Sequence, residues 1–181
     1  MKELSLNILD ITENSTKAGA KNICITLTET EDTLLIEVSD DGCGMLPDFL
    51  NSVMDPFTTT RTTRKVGLGI PLLKLAAEQT GGYVKIESRH YTLYPDSHGT
   101  KTSALFYKRH LDYTPLGDIV STLTTLVQGH PEVDFLFEHS SNERCVKLDT
   151  KELREILGDV PLDSFEVILW IKEYLEEQYS S

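Results

Sequence analysis

The spacing of apolar residues changes from helical to extended within the first 28 residues of the chain. In residues 3–17 apolar side chains recur every three to four positions, which predicts a helix. In residues 22–28 they alternate with polar ones, which is the period of a strand. A polar turn and a second alternating segment, residues 34–39, complete a predicted hairpin. A helix followed by a hairpin favours a sheet with helices packed on one face.

The following segments continue this mixture of helices and strands. Helices are predicted over residues 47–54 and 70–79, and strands over residues 83–89 and 103–108. The first 108 or so residues therefore predict an α/β (α+β) two-layer sandwich, a mixed sheet with helices on one face. We expect residues 1–110 to form one domain.

Residues 111–181 differ from the first segment in charge and in pattern. They hold 15 acidic residues and 5 Lys or Arg, whereas residues 1–110 hold 14 and 12, so the two net charges are −10 and −2. We expect a small acidic α+β extension docked on the first domain. Its predicted helices and strands are residues 118–128, 133–138, 144–148, 150–157 and 164–179.

Composition limits the class of protein further. A strongly acidic segment repels a phosphate backbone, so nucleic acid is not the expected partner. The chain has no stretch of about 18 apolar residues, so we expect no membrane span and a cytoplasmic protein. Its three cysteines are unclustered, which predicts free thiols. We expect surface positions for the five histidines, His90, His98, His110, His130 and His139.

The first helix carries a polar line beside its apolar stripe. Asp10, Asn14 and Lys17 fall within an arc of roughly 60° on a helix that turns ~100° per residue. An asparagine oxygen can ligate Mg²⁺, a carboxylate one turn earlier can orient or deprotonate water, and a lysine can contact phosphate. A solvated helix face with no ligand would show the same pattern.

The second motif is DDGCGM, which follows the second predicted strand. A carboxylate at a strand end, such as that of Asp40, can accept a hydrogen bond from an amino group like that of adenine. Gly42 and Gly44 allow the chain to turn sharply beside a ligand. A plain acidic turn stays open as an alternative. A calcium loop is excluded because the alternating acidic ligands and the terminal glutamate are missing.

The third motif is TTTRTTRKVGLGIPLLK, a polar and cationic segment that leads into a helix. Backbone N–H groups at a helix start, together with nearby Arg61 and Arg64, favour an anion. The segment lacks the GK[ST] ending of a P-loop and does not follow the first strand of a βαβ unit. The short sequence GLG is weak evidence by itself.

In their order and spacing, the three motifs resemble those of the GHKL ATPases, which include gyrase, histidine kinases, a heat-shock chaperone and the mismatch-repair ATPase MutL. DITENSTKAGA resembles the N box, DDGCGM the first glycine box, and TTTRTTRKVGLGI the lid with the second glycine box. HGTKTSALF resembles the closing Gly-Thr strand. All four lie within residues 7–107. The resemblance implies a Bergerat-type ATP-binding fold for residues 1–110.

The resemblance also implies roles for single residues. Asn14 would ligate Mg²⁺, Asp40 would bind the adenine amino group, Thr100 would support Asp40, and Lys17 would lie near phosphate. Asp10 occupies the position of the general base, and Glu13, which lies about 60° off the line from Asp10 to Asn14, is the alternative base. Further ATP-binding residues implied by the motifs are Gly42, Gly44, Met45, Thr58, Thr59, Thr60, Arg61, Arg64, Gly67, Leu68 and Gly69.

Two departures from the family pattern affect the expected activity. The gyrase and MutL branches have a glutamate where this chain has Asp10, and one methylene less withdraws the carboxylate by roughly 1.5 Å. Misplacement on that scale can cost ~100-fold in rate, so we expect slow hydrolysis. The second departure is Lys65, which stands where the kinase glycine box has its first glycine.

The resemblance implies an ATP- and Mg²⁺-binding protein. It would hydrolyse ATP slowly or pass the γ-phosphate to a partner protein, as small anti-sigma-factor kinases of this superfamily do, with the acidic C-terminal region docking that partner. Two alternatives stay open: a non-catalytic ATP-sensing module that binds and does not turn over, and a mismatch-repair fragment.

Overall fold

The computed structural model describes residues 3–53 and 69–181. Within these ranges the chain forms one six-stranded sheet with the order β3-β4-β2-β1-β5-β6. All neighbouring strands run antiparallel except β1 and β5, which are parallel. The strands are β1 (Asn22–Glu29), β2 (Thr33–Asp40), β3 (Tyr83–Arg89), β4 (Gly99–Tyr107), β5 (Asp134–Ser140) and β6 (Cys145–Asp149).

Helices cover one face of this sheet. Through most of β1, β2 and β5, buried apolar side chains alternate with less buried ones, so the apolar face is the one under the helices. The mixed sheet with helices on one face confirms the predicted fold class. The helices of the described ranges are α1 (Leu4–Lys17), α2 (Pro47–Ser52), α3 (Gly69–Gln79), α4 (Ile119–Gly129), α5 (Thr150–Leu157) and α6 (Phe165–Ser180).

Helix α1 forms because its apolar side chains share one side. Leu4, Ile8 and Ile11 are buried in the same core as Ile25 of β1 and Ile36 of β2. Burial of a side chain of this size contributes about 1.5–3 kcal/mol, which holds the helix on the sheet. The polar line of α1 is therefore fixed relative to the ends of the strands.

The C-terminal segment continues the sheet of the first segment. Strand β5 pairs along β1, with Phe137 beside Ile25, and β6 then pairs with β5. Phe135 and Phe137 are buried in the common core. The division at residue 110 stays a prediction about the domains, but the hydrogen-bonded sheet runs across it.

A hydrogen-bonded network of polar side chains joins the two segments at the end of β1. Lys108 Nζ donates to Glu29 Oε2 at 2.6 Å, Glu29 Oε1 lies 2.8 Å from His139 Nε2, and His139 Nδ1 lies 2.8 Å from the Tyr179 hydroxyl. Burial alone would raise the pKa of Glu29, but its hydrogen bonds with Lys108 and His139 outweigh this and hold the pKa below its usual value. His139 is only 7% exposed, so the prediction of a surface position is wrong for this histidine.

Candidate functional site

A cavity of about 240 Å³ lies between α1, the C-terminal end of β2, the start of β4, α2 and the start of α3. Its described lining brings together residues from all four sequence motifs: Asn14, Lys17, Asp40, Gly44, Met45, Thr100 and, from the motif with the second glycine box, Ile70. The apolar part of the lining is mostly Ile11, Phe49, Val53 and Ile70. A mainly apolar cleft with a few converging polar groups is typical of a small-molecule site.

Two of the three residues in the polar line of α1 also line this cavity. Asn14 and Lys17 line it, as the helical spacing predicts. Asp10 lies one turn earlier, with an exposed side chain, beside the start of α3: a Cβ on Gly69 would lie 3.4 Å from the Asp10 Cβ. The start of α3 is therefore close to the carboxylate that the sequence analysis assigns as the base.

The electrostatic surroundings of Asp10 raise its pKa. Partial desolvation contributes most, the negative charge of Glu13 adds to it, and Lys17 opposes both. A raised pKa makes this carboxylate a better proton acceptor than an ordinary surface aspartate. Glu13 itself is engaged elsewhere, because its Oε1 lies 2.9 Å from Nε2 of His130.

The carboxylate of Asp40 is held at the edge of the cavity by two donors. The Ser15 hydroxyl donates to Oδ2 at 2.6 Å, and the Gly42 N–H donates to Oδ1 at 2.8 Å. An ionised carboxylate offers about four acceptor positions, so it retains capacity for a donor on a ligand. The orientation of Asp40 is thus fixed before any ligand arrives.

Gly42 and Gly44 let the first glycine box pack closely against its neighbours. A Cβ on Gly42 would lie 2.9 Å from the Ala18 Cβ. Gly44 has a φ of +76°, and a Cβ there would lie 2.0 Å from the backbone oxygen of Arg89. Only glycine can adopt the positive φ at residue 44 and also avoid the collision with Arg89 without a backbone shift.

We expect Gly44→Ala to destabilise the fold more than Gly19→Ala. Both glycines have a positive φ, which costs a residue with a Cβ roughly 1–2 kcal/mol. At Gly19 a Cβ meets no atom within 4 Å, whereas at Gly44 it collides with backbone. Chemical denaturation should therefore show a loss for Gly44→Ala that is larger by about 1 kcal/mol or more. Equal losses would show that the turn relaxes freely and does not depend on its contact with Arg89.

A hydrogen-bonded network, which the sequence analysis did not predict, supports Thr100. The Ser88 and Thr100 hydroxyls are 2.7 Å apart, and the Met45 N–H donates to the Ser88 oxygen at 2.8 Å. Ser88 and Thr100 are also ladder partners in β3 and β4. Thr100 in turn pairs with Asp40 across β4 and β2. Sequence spacing gives no sign of Ser88, because its position depends on strand register.

Several residues of the predicted site lie outside the described ranges. They are Thr58, Thr59, Thr60, Arg61, Arg64, Gly67 and Leu68. Lys65 also lies there. Their roles, like the ligand contacts assigned to the other site residues, stay predictions.

The cavity also limits how a metal is held. Within residues 3–53 and 69–181, no group of three or more His, Cys, Asp or Glu side chains is arranged to hold a metal ion. Mg²⁺ commonly takes one or two protein oxygens and completes its shell with water and substrate phosphates. Asn14, half-buried on the cavity wall, fits that kind of site.

Residues 1–110 match the family model for histidine kinase-, DNA gyrase B- and HSP90-like ATPases. The match covers more than half of the chain and includes all four motifs. The chain therefore belongs to this family, and its first segment is an ATP-binding domain of the GHKL type. The resemblance drawn from the sequence is confirmed.

Known proteins related to the chain share only part of their length with it. Sensor protein SrrB of Staphylococcus aureus (strain NCTC 8325 / PS 47) is 31% identical over 93 residues, a match that covers 49% of this chain and 16% of SrrB. The chain thus spans about a sixth of the length of this curated relative. None of the helices in the described ranges has both the length and the apolar composition needed to cross a membrane.

Two solved structures are similar to this chain in fold. The MutL ATPase domain of Aquifex aeolicus complexed with ADP is 16% identical, with a TM-score of 0.55, over 87% of this chain and 69% of the MutL chain. The N-terminal domain of a DNA repair protein is 15% identical, with a TM-score of 0.54, over 82% and 52%. At these identities the likeness concerns the fold.

Proposed function

We propose that the cavity binds ATP with Mg²⁺, and that the adenine amino group donates to Asp40. The observation that carries this proposal is the fixed carboxylate of Asp40 in a mainly apolar cavity that Asn14 also lines. The apolar side chains would stack on or surround the purine, and the carboxylate would select the amino group. Membership of the ATPase family, and the ADP in the related MutL domain, support the same ligand.

The polar residues of α1 would serve the phosphates in this arrangement. The amide oxygen of Asn14 would ligate Mg²⁺, which neutralises phosphate charge when it is bound, and Lys17 would contact a phosphate oxygen. Gly42, Gly44 and Gly69 would allow the backbone to approach the nucleotide. Asp10 would accept a proton from the attacking water or hydroxyl.

We propose slow ATP hydrolysis, or transfer of the γ-phosphate to a partner protein in the cytoplasm, as the reaction. The raised pKa of Asp10 supports a role as base, and the short aspartate side chain supports a low rate. The acidic C-terminal segment, with its net charge of −10, supports a protein partner and disfavours nucleic acid.

The exposed, shortened carboxylate of Asp10 also favours a second candidate, an ATP-sensing module that binds without turnover. Release of inorganic phosphate from ATP, and transfer of labelled γ-phosphate to protein, distinguish the two. Phosphate release that is lost in Asp10→Asn supports the enzyme, whereas ATP binding without release or transfer supports the sensor.

Asn14→Ala tests the metal assignment. We expect Mg-ATP at about 100 times its dissociation constant to stabilise the native protein by about 2.7 kcal/mol. Loss of one metal ligand should weaken Mg-ATP about tenfold, which removes roughly 1.4 kcal/mol of that stabilisation. Binding of ADP in the presence of EDTA should change little.

The matched control for this experiment is Asn142→Ala, the same chemical change in an exposed turn of the C-terminal segment. It should leave thermal shifts with and without Mg-ATP as in the wild type. Phosphate release that survives Asn14→Ala at the wild-type rate would contradict the assignment of Asn14 to the metal.

A further inference from the structure

Helix α6 has one covered side and one open side. Val167, Ile171 and Leu175 are buried and occupy an arc of roughly 80° at ~100° per residue. An arc of roughly 180° on the opposite side carries exposed side chains of two kinds. The apolar and aromatic ones are Phe165, Leu169, Trp170 and Tyr174. The acidic ones are Glu166, Glu173, Glu176 and Glu177. We call this arc the outer face of α6.

Two aromatic rings form a platform on the outer face. The rings of Trp170 and Tyr174 stack, with centroids 4.8 Å apart and an interplanar angle of 11°. The two residues are nevertheless 46% and 38% exposed. Tryptophan and tyrosine dominate the binding energy of many protein interfaces, and a flat aromatic face attracts the guanidinium of arginine.

The charged side chains on the outer face are all acidic. Among the described residues, no ion pair involves any of its four glutamates. Lys172 lies just outside the arc. The face therefore combines an aromatic platform with four acids that form no ion pair within the described residues.

This charge pattern selects the chemistry of a partner. A second copy docked on the same face would oppose eight carboxylates, which costs several kcal/mol in like-charge contacts. Nucleic acids and anionic membranes are repelled for the same reason. A helix with Lys and Arg beside an apolar stripe would bury the aromatic rings and pair with the glutamates. With 16 residues, α6 offers such a helix a surface about 24 Å long.

We propose that the outer face of α6 is a docking surface for a cationic amphipathic helix of a partner protein. The inference gives a location and a chemistry to the partner interaction proposed above, and rests on that proposal. Arginine stacks on Trp170, and lysine or arginine pairs with Glu173 and Glu177 on the same side.

The test uses an 18-residue, fluorescein-labelled peptide of Leu, Lys and Arg in a helical amphipathic pattern, free of Trp and Tyr. Binding to the full chain is followed by anisotropy. A second reporter is intrinsic, since Trp170 is the only tryptophan of the chain. We expect saturable binding that changes Trp170 emission, and no binding of a peptide with Glu in place of every Lys and Arg.

The double variant Glu173→Lys/Glu177→Lys should lower the peptide affinity at least about tenfold. The control is Glu152→Lys/Glu155→Lys, an equal change of net charge at exposed positions of α5, and it should stay within about twofold of wild type. Circular dichroism checks that both variants are folded. Equal losses in the two variants, or binding without a change in Trp170 emission, would show only general attraction to an acidic protein and would overturn the proposal.

Two further measurements separate this inference from the proposed function. Sedimentation of the unliganded chain should show a monomer, whereas a dimer that is lost in Trp170→Ala would assign the face to a second copy and overturn the proposal. ATP binding is measured on the same samples. Peptide binding without ATP binding refutes the nucleotide site alone, and ATP binding without peptide binding refutes the docking surface alone.

Discussion

Replacing Asp40 with asparagine is expected to weaken the binding of ATP and ADP by about 10- to 100-fold. The carboxylate already accepts hydrogen bonds from Ser15 and the Gly42 N–H, and in our proposal it accepts a third from the adenine amino group. An asparagine side chain must turn its NH₂ group toward one of these donors. Loss of a hydrogen bond to a charged acceptor is worth about 1.5–3 kcal/mol, which gives the expected loss of affinity.

Asp41→Asn is the matched control for Asp40→Asn. Asp41 is the next residue, but its carboxylate accepts from the backbone N–H groups of Lys21 and Asn22 and from the Asn22 side chain, and it does not line the cavity. We expect its nucleotide affinity to stay within about threefold of wild type, although its stability falls. Calorimetric titration with ADP measures both variants. If Asp41→Asn weakened ADP as much as Asp40→Asn, the base-recognition role of Asp40 would be lost.

Nucleotide specificity gives a second measurement on Asp40→Asn. The 6-amino group distinguishes adenine from guanine, so a carboxylate that accepts from it should favour ATP over GTP. We expect the ratio of the two affinities to fall in Asp40→Asn. A uniform loss for both nucleotides would point to a damaged pocket and would contradict direct recognition of the base.

The local signals of the sequence were sufficient for most helices and strands. Strand β3 and helix α5 begin and end at their predicted residues, because turn residues and periodicity mark both ends. Strand β4 begins at Gly99, four residues before its predicted start. Its first residues are Gly, Thr and Lys, which show no apolar alternation, and they are held in the sheet by pairing with β2 and β3.

Helical spacing predicts only part of the candidate site, because the other contacts depend on helix packing and on strand register. Asn14 and Lys17 meet the cavity together because they are less than a turn apart on one helix. The contact of Ser15 with Asp40 spans 25 residues, and that of Ser88 with Met45 spans 43. Such contacts arise from the packing of α1 on the sheet and from the register of β3, neither of which has a local signature.

Local sequence patterns give no indication of the parallel pairing of β5 with β1. Residues 134–140 have ordinary strand periodicity, and their partner lies more than 100 residues earlier in the chain. The change in charge after residue 110 suggested a separate unit docked on the first. Solvation governs surface charge, whereas the core side chains govern the sheet, so a boundary in charge does not have to be a boundary in the sheet.

If the sheet folds as one cooperative unit, Phe137→Ala should lower the free energy of unfolding of the whole chain by about 3–5 kcal/mol. Phe137 is 0% exposed and lies in β5 between Ile25 of β1 and Leu148 of β6. The loss corresponds to a fall in Tm of roughly 6–20 °C for a chain of this size. The control is Phe165→Ala, which removes the same ring from a position that is 79% exposed and should change stability little.

Trp170 and the nucleotide site together test the cooperativity behind Phe137→Ala. Trp170 lies in the C-terminal segment, whereas the proposed ligand binds between residues of the first segment. In one cooperative unit, the unfolding curves from Trp170 fluorescence and from circular dichroism coincide, and ADP shifts both. If ADP left the midpoint of the Trp170 transition unchanged, or Phe137→Ala lowered the midpoint of that transition alone, the two segments would unfold separately. The pairing of β1 with β5 would then not couple their stabilities.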